Sequence, residues 1–378
     1  MARPLVARID AAALAHNLGV ARAAAPRSKV LAVVKANGYG HGLLRVARAM
    51  RGADGFAVLT LDEAAQLRAE GYTHPIVLLE GFFSPDELPE MARLRLRPVI
   101  HREDQVDILA RARLENRLDV LLKVDTGMHR LGVSPKRLAA TLERLGALSQ
   151  VGRVTLMSHF ARADEAEVGV AGQLAVFNAM LPGGEGRAAT ASTVAPTTQP
   201  SPGGRGGYPV TLANSAALLR YPETHGDWVR PGIMLYGASP FSDQDGLDLG
   251  LLPAMHLESQ LISVRRVAKG EGLGYGHLFV ADQDTQVGIV ACGYADGYPR
   301  HAPTGTPVLV AGQLTRTLGR VSMDMLCVDL TPVPTAHVGS PVVLWGAGLP
   351  AEHVAAAAGT LAYELFTALA PRVRVEDL

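Results

Sequence analysis

Cysteine is almost missing: the chain of 378 residues has two, Cys292 and Cys327. They are too few for a disulfide framework, and neither stands in a metal-ligand spacing, so no metal is expected. Lysine is also scarce. Of 36 basic residues only five are lysines, Lys29, Lys35, Lys123, Lys136 and Lys269, so each one in an apolar setting needs a reason. Neither sign of charge is in excess, with 36 basic against 36 acidic residues. That balance argues against nucleic acid or an anionic membrane surface as partner. No apolar run reaches the ~18 residues of a membrane span. The first ten residues lack the apolar stretch of a secretion signal, and the expectation is a cytoplasmic protein. Hydrophobic residues make up 48% and charged residues 19%, which allows a sizeable core. The length points to one large domain plus a smaller one.

Short apolar runs alternate with helical patterns over the first 236 residues. The runs are Val30–Val34, Phe56–Leu59, Ile76–Leu79, Pro98–Ile100, Val120–Val124, Val154–Met157, Val210–Ala213 and Trp228–Ile233. Most are continuous rather than alternating, as in strands buried on both faces of a parallel sheet. Helix candidates are Asp10–Ala25, Leu43–Arg51, Asp62–Glu70, Pro85–Leu94, Glu103–Glu115, Pro135–Leu148 and Glu165–Met180, with a short one capped by Asn214. Eight such units predict an α/β fold with an N-terminal (β/α)8 barrel, and a doubly wound open sheet is the alternative. From about residue 240 the pattern becomes mainly β, with runs at His256–Val267, Thr285–Cys292, Pro307–Leu314, Met325–Leu330 and Pro341–Trp345. A late helix spans His353–Ala370. The expected domains are 1–237 (barrel) and 238–378 (mainly β), with the first nine residues packing on the second. Gly183–Gly207, rich in Gly, Pro, Ser and Thr, reads as a mobile surface insertion, or in the functional reading a lid.

Barrel sites sit at the C-terminal ends of the strands. Lys35 directly follows Val30-Leu31-Ala32-Val33-Val34. An amine at the mouth of an apolar strand is partly desolvated and can serve as a Schiff-base nucleophile, although a lysine reaching out to solvent reads the same way. Ser215 and the amides of Gly232 and Ile233 follow the seventh and eighth strands, where barrels often bind phosphate; an ordinary cap and turn is the plainer reading. Asp125-Thr126-Gly127 is the tripeptide of aspartic proteases. Those enzymes need two such carboxylates, and no second copy occurs here.

Nine segments, in order, resemble one family. Ala32–Gly42 (AVVKANGYGHG) is similar to the cofactor-lysine signature of the alanine racemases, pyridoxal-phosphate enzymes of fold type III. Lys123–Gly132 resembles that family's KxDTGMxRxG segment. Ser158–Phe160, Asn214–Ala217, Arg230–Ile233, Gly274–Gly276, Gly293–Tyr298, Gly319–Asp324 and Leu361–Glu364 follow. The likeness covers nearly the whole chain.

The resemblance implies a pyridoxal 5'-phosphate enzyme that interconverts L- and D-alanine, supplies D-alanine for peptidoglycan and works as a homodimer. It implies Lys35 and Tyr275 as the two catalytic bases, with Tyr275 supplied by the second domain of the partner subunit. Lys35, Tyr39, His159, Asn214, Ser215, Arg230, Gly232, Ile233 and Tyr363 would surround the cofactor. Tyr39, Ser215, Gly232, Ile233 and Tyr363 would bind its phosphate, and Arg230 would face its ring nitrogen. Arg130, Met323 and Asp324 would place the substrate. Lys123 would be carbamylated to hold Arg130. Two bases on opposite faces suit racemisation, which removes a proton from one face of Cα and returns one to the other.

The chain departs from the family at three places. Thr211 stands where a histidine commonly backs the arginine. The ending Pro371–Leu378 is unusual, and the Gly183–Gly207 insertion is long. Four other readings compete with this one. A non-catalytic pyridoxal-phosphate binder would not need Tyr275. A decarboxylase would need an extended C-terminal domain not seen here. Racemases of larger or basic amino acids often carry secretion signals. A broader small-amino-acid (serine) racemase stays open.

Overall fold

The computed structural model describes residues 3–181 and 207–378. A short strand, β1 (Val6–Ile9), opens the chain. The helix Ala11–Ala24 follows, and the Asp10 side chain caps it by accepting from the Ala13 amide at 2.9 Å.

Eight strands then close a barrel: β2 (Lys29–Val33), β3 (Gly55–Val58), β4 (Ile76–Leu78), β5 (Arg97–Ile100), β6 (Leu118–Lys123), β7 (Val151–Met157), β8 (Val210–Thr211) and β9 (Trp228–Val229). All the pairings are parallel, and β9 returns to β2 through Lys29–Trp228 and Val30–Val229. The open-sheet alternative is thereby excluded. Val30, Phe56, Ile76, Val99 and Leu122 are fully buried, as strands covered by helices on one side and a filled barrel on the other require.

The second region has its own strands: β10 (Met255–Val267), β11 (Gly272–Leu273), β12 (Phe279–Val280), β13 (Thr285–Val290), β14 (Pro307–Val310), β15 (Gln313–Leu318), β16 (Leu326–Asp329), β17 (Pro341–Trp345) and β18 (Arg374–Asp377). The order β13-β16-β15-β14-β17-β10 returns to β13, so these antiparallel strands also close on themselves. Beyond β10, β1 pairs antiparallel with Met255–Glu258 and parallel with β18. Both chain ends are therefore woven into this sheet.

Four local expectations change. Pro307–Leu314 is not one strand but part of a hairpin: Ala311 (φ 49°) and Gly312 (φ 76°) make a two-residue turn with both central residues left-handed. The late helix is broken by Gly359 (φ 70°), leaving Ala351–Ala358 and Ala362–Thr367. The helix expected from Glu165 begins at Ala171, after left-handed Gly169. The helix from Glu103 ends at Arg111, because Ala112 is extended. The expected insertion lies outside the described residues up to Gly206. Among the described residues no helix is long and apolar enough to cross a membrane, and no cluster of side chains could hold a metal ion.

Candidate active site

A cavity of about 890 Å³ opens at the C-terminal ends of the barrel strands. Lys35 enters it after β2, Lys123 from the end of β6, His159 after β7, Asn214 and Ser215 after β8, and Arg230 and Gly232 after β9. Tyr363 and Glu364, on the helix Ala362–Thr367, close one side. Residues far apart in sequence meet here because parallel strands deliver all their following loops to one end.

Behind Lys35 the chain makes an uncommon turn. Ala36 (φ 54°), Asn37 (φ 55°), Gly38 (φ 62°) and Tyr39 (φ 51°) are all left-handed. Each non-glycine residue in that state costs roughly 1–2 kcal/mol, so surrounding contacts must hold it. The Asn37 side chain accepts from the Leu43 amide at 2.9 Å, and the His41 ring, through Nδ1, bonds the Tyr39 carbonyl at 2.8 Å. The turn swings Tyr39 back beneath the cavity, where its ring stacks on Tyr236 at 4.6 Å.

Ser215, Gly232 and Tyr39 form a cradle. The Gly232 amide donates to Ser215 Oγ at 2.8 Å. A Cβ on Gly232 would lie 2.7 Å from the Tyr39 hydroxyl, so only glycine leaves this space open. Asn214 caps the helix Ser215–Arg220 by accepting from the Ala217 amide at 3.0 Å. A hydroxyl, a phenol, backbone amides and a helix start suit a phosphate. Burial moves the Tyr39 phenol up to about 12, which keeps it a donor.

Arg230 is buried with no carboxylate in its hydrogen bonds. Nη1 donates to Thr211 Oγ1 at 2.6 Å, and Nη2 donates to the carbonyls of Ser158 at 2.7 Å and Leu212 at 3.0 Å. Desolvation lowers it to about 10, so it stays charged at neutral pH. Burial first, then the Arg230 and Arg130 guanidiniums, bring the Lys123 amine down to about 8. Burial and the Arg230 charge push His159 down to about 3, so that ring is neutral.

Arg130 borders the cavity on a loop shaped by Asp125. The Asp125 carboxylate accepts from the amides of Gly127 and His129, both at 3.0 Å. A Cβ on Gly132 would meet the Asp125 nitrogen at 2.5 Å, so the loop closes tightly there. The single Asp-Thr-Gly tripeptide thus builds a turn.

Not every expected residue joins the cavity. Tyr275 lies outside its lining and is 70% exposed. Ile233, fully buried, and Met323 and Asp324 are outside the lining too, and the Asp324 carboxylate pairs with Arg372 at 2.6 Å. Glu80, Leu131 and Thr367 line the cavity without having been singled out. Glu80 follows β4, so the rule that barrel sites collect at strand ends could have found it.

A closed parallel barrel joined to a closed antiparallel domain, with a lysine, a buried arginine and a phosphate cradle at the strand ends, defines the class of pyridoxal-phosphate barrel proteins. The alanine racemase N-terminal domain matches residues 9–240 and the C-terminal domain residues 254–376. The chain belongs to the alanine racemase family. It is 57% identical over 376 residues to the alanine racemase of Thiobacillus denitrificans, covering 100% of this chain and 96% of that one. It is 52% identical to that of Nitrosospira multiformis, with 99% of each covered. The crystal structure of the biosynthetic alanine racemase from Pseudomonas aeruginosa superposes with a TM-score of 0.91 at 46% identity, over 100% of this chain and 99% of that one. The family depends on pyridoxal 5'-phosphate, and the cradle fits that group.

Proposed function

We propose that the protein interconverts L- and D-alanine, with Lys35 and Tyr275 as the two bases. One observation carries the reading: Lys35, Arg230 and the Ser215–Gly232–Tyr39 cradle share a single cavity at the barrel mouth. Lys35 would hold pyridoxal phosphate, with Tyr39, Ser215, Gly232, Ile233 and Tyr363 around its phosphate and Arg230 at its ring nitrogen. The bound cofactor withdraws electrons and so acidifies the substrate Cα–H.

The side chains then divide the proton work. Lys35 Nζ takes or returns the proton on one face of Cα, and the Tyr275 hydroxyl serves the other. Arg130 and Met323 position the substrate carboxylate, and Asp324 supports Met323. His159, half-buried and neutral, accepts or donates hydrogen bonds without adding charge. Arg230 keeps its proton at neutral pH and cannot give one to the ring nitrogen.

The working unit in this reading is a homodimer. Tyr275 is largely exposed and outside its own cavity, which suits a residue that completes the partner's site. We place the enzyme in the cytoplasm, supplying D-alanine for peptidoglycan as in its family, and both cysteines are free thiols. The residues 1–237 and 238–378 are proposed as its two domains.

Proton NMR of L-alanine in D2O, with pyridoxal phosphate and chiral analysis of the same sample, tests the activity. Loss of the α-proton signal together with D-alanine is expected. Cofactor-loaded protein that yields neither would sink the proposal.

A further inference from the structure

We propose that Arg372, helped by Arg3, is a positioning residue that fixes Met323 and thereby sets the KM for the amino acid. The inference rests on the reading above, that Met323 serves the substrate carboxylate.

The buried Asp296 carboxylate is the hub. Arg3 grips it with two prongs, Nη1 at 2.5 Å and Nη2 at 2.8 Å. Arg372 Nε donates to the same carboxylate at 2.7 Å, and the Gly293 amide donates to it at 2.9 Å. Each arginine also reaches Asp324: Arg3 Nη2 donates to its carbonyl at 2.7 Å, and Arg372 Nη2 to its carboxylate at 2.6 Å. Residues near opposite ends of the chain thus bridge the loop of Asp296 to the loop of Met323.

The two loops are also zipped through their backbones. The Tyr294 amide donates to the Ser322 carbonyl and the Ala295 amide to the Met323 carbonyl, both at 3.0 Å. At Gly293 a Cβ would stand 2.3 Å from the Ser322 oxygen and 2.4 Å from that of Met323, so the backbones touch. A methionine side chain offers no strong hydrogen bond by which to be placed. Its position follows from the backbone around it: the Ala295 amide holds the Met323 carbonyl, Arg3 holds the Asp324 carbonyl, and Arg372 anchors the Asp324 side chain. Its own side chain is half exposed, free to reach a neighbouring site.

Loss of Arg372 alone should cost little stability: its side chain is 43% exposed, and Arg3 keeps the buried Asp296 carboxylate paired. Its main effect is geometric.

The test compares Arg372→Ala, Arg372→Lys, Met323→Ala and the double variant Arg372→Ala/Met323→Ala as cofactor-loaded protein. KM, kcat, thermal midpoint and sedimentation are read for each. Arg372→Ala is expected to raise the KM for L-alanine about three- to tenfold with kcat within about twofold. The midpoint and the oligomer should hold, because Arg3 still covers Asp296. Arg372→Lys should fall between, since lysine keeps the charge but loses the fork. The double variant should be no worse than Met323→Ala, as expected of residues acting through one another. An unchanged KM in Arg372→Ala, beside a raised KM in Met323→Ala, overturns the proposal. So does a joint loss of kcat, midpoint and assembly, which marks a merely structural role. An unchanged KM in Met323→Ala instead removes the role assigned to Met323, and this inference with it.

Discussion

The Arg230 guanidinium donates to the Thr211 hydroxyl at 2.6 Å, where the family commonly places a histidine behind the arginine. Its other bonds among the described residues go to backbone carbonyls, so Thr211 is its one side-chain partner there. Thr211→Val keeps the volume and leaves a buried N–H without an acceptor. The expected loss is about 1–3 kcal/mol, read as a lower urea midpoint with an unchanged slope. A variant as stable as the parent would show that Arg230 needs no side chain behind it.

Lys35 and Tyr275 should separate holding from turnover. Lys35→Ala is expected to abolish both the visible absorbance of bound pyridoxal phosphate and racemisation. Tyr275→Phe should keep the absorbance and lower kcat by roughly 10²–10⁴-fold, the range for loss of a general base. Equal loss of cofactor in both variants would deny Tyr275 a proton-transfer role.

Lys123 is expected to be carbamylated. Burial first, and then the Arg230 and Arg130 guanidiniums, bring its amine down to about 8, and among the described residues no carboxylate forms an ion pair with it. A neutral amine attacks carbon dioxide, loses a proton and becomes an anion able to accept from Arg130. Carbon NMR of the enzyme in ¹³C-bicarbonate should show a carbamate signal that strengthens from pH 7 to 9 and vanishes in Lys123→Ala. Its absence from active enzyme would end this reading.

His41 gives the fold an acid sensitivity. Its ring is buried among Tyr236 and Phe366, and its Nε2 has no hydrogen-bond partner. Burial takes it down to about 4. The unfolded chain binds a proton near pH ~6.5, well before the folded protein does. Stability is therefore complete above that pH and falls as pH drops toward 4, by an amount on the order of 3 kcal/mol from this group. Thermal midpoints from pH 7 to 4.5 should fall more steeply in the parent than in His41→Asn. Parallel slopes would shift the cause elsewhere.

Much of the architecture was legible because it is local or periodic. Continuous apolar runs such as Val30–Val34 suit strands covered on both faces, and eight short runs with helices between leave few topologies. Asp10 and Asn214 read as caps because a short polar side chain before a helical run has an amide to satisfy. Lys35 stood out through its apolar approach and because lysine is rare in this chain. Turns were less legible. Ala311 adopts a left-handed conformation that alanine disfavours, and nothing local announces it; the pairing of β14 with β15 imposes it.

The sequence by itself determined the eight strand–helix units, the β region after them, and the identity of the groups at the strand ends, since periodicity and residue chemistry are properties of neighbours along the chain; closure of the units into a barrel was settled by the structure. Only the tertiary structure decided that Thr211 holds Arg230, that Tyr39 turns back beneath Gly232, that Tyr275 stands outside its own cavity, and that Arg3 and Arg372 meet on Asp296. These depend on distances between residues far apart in the chain, which the closure of two barrels sets and no stretch of sequence encodes alone.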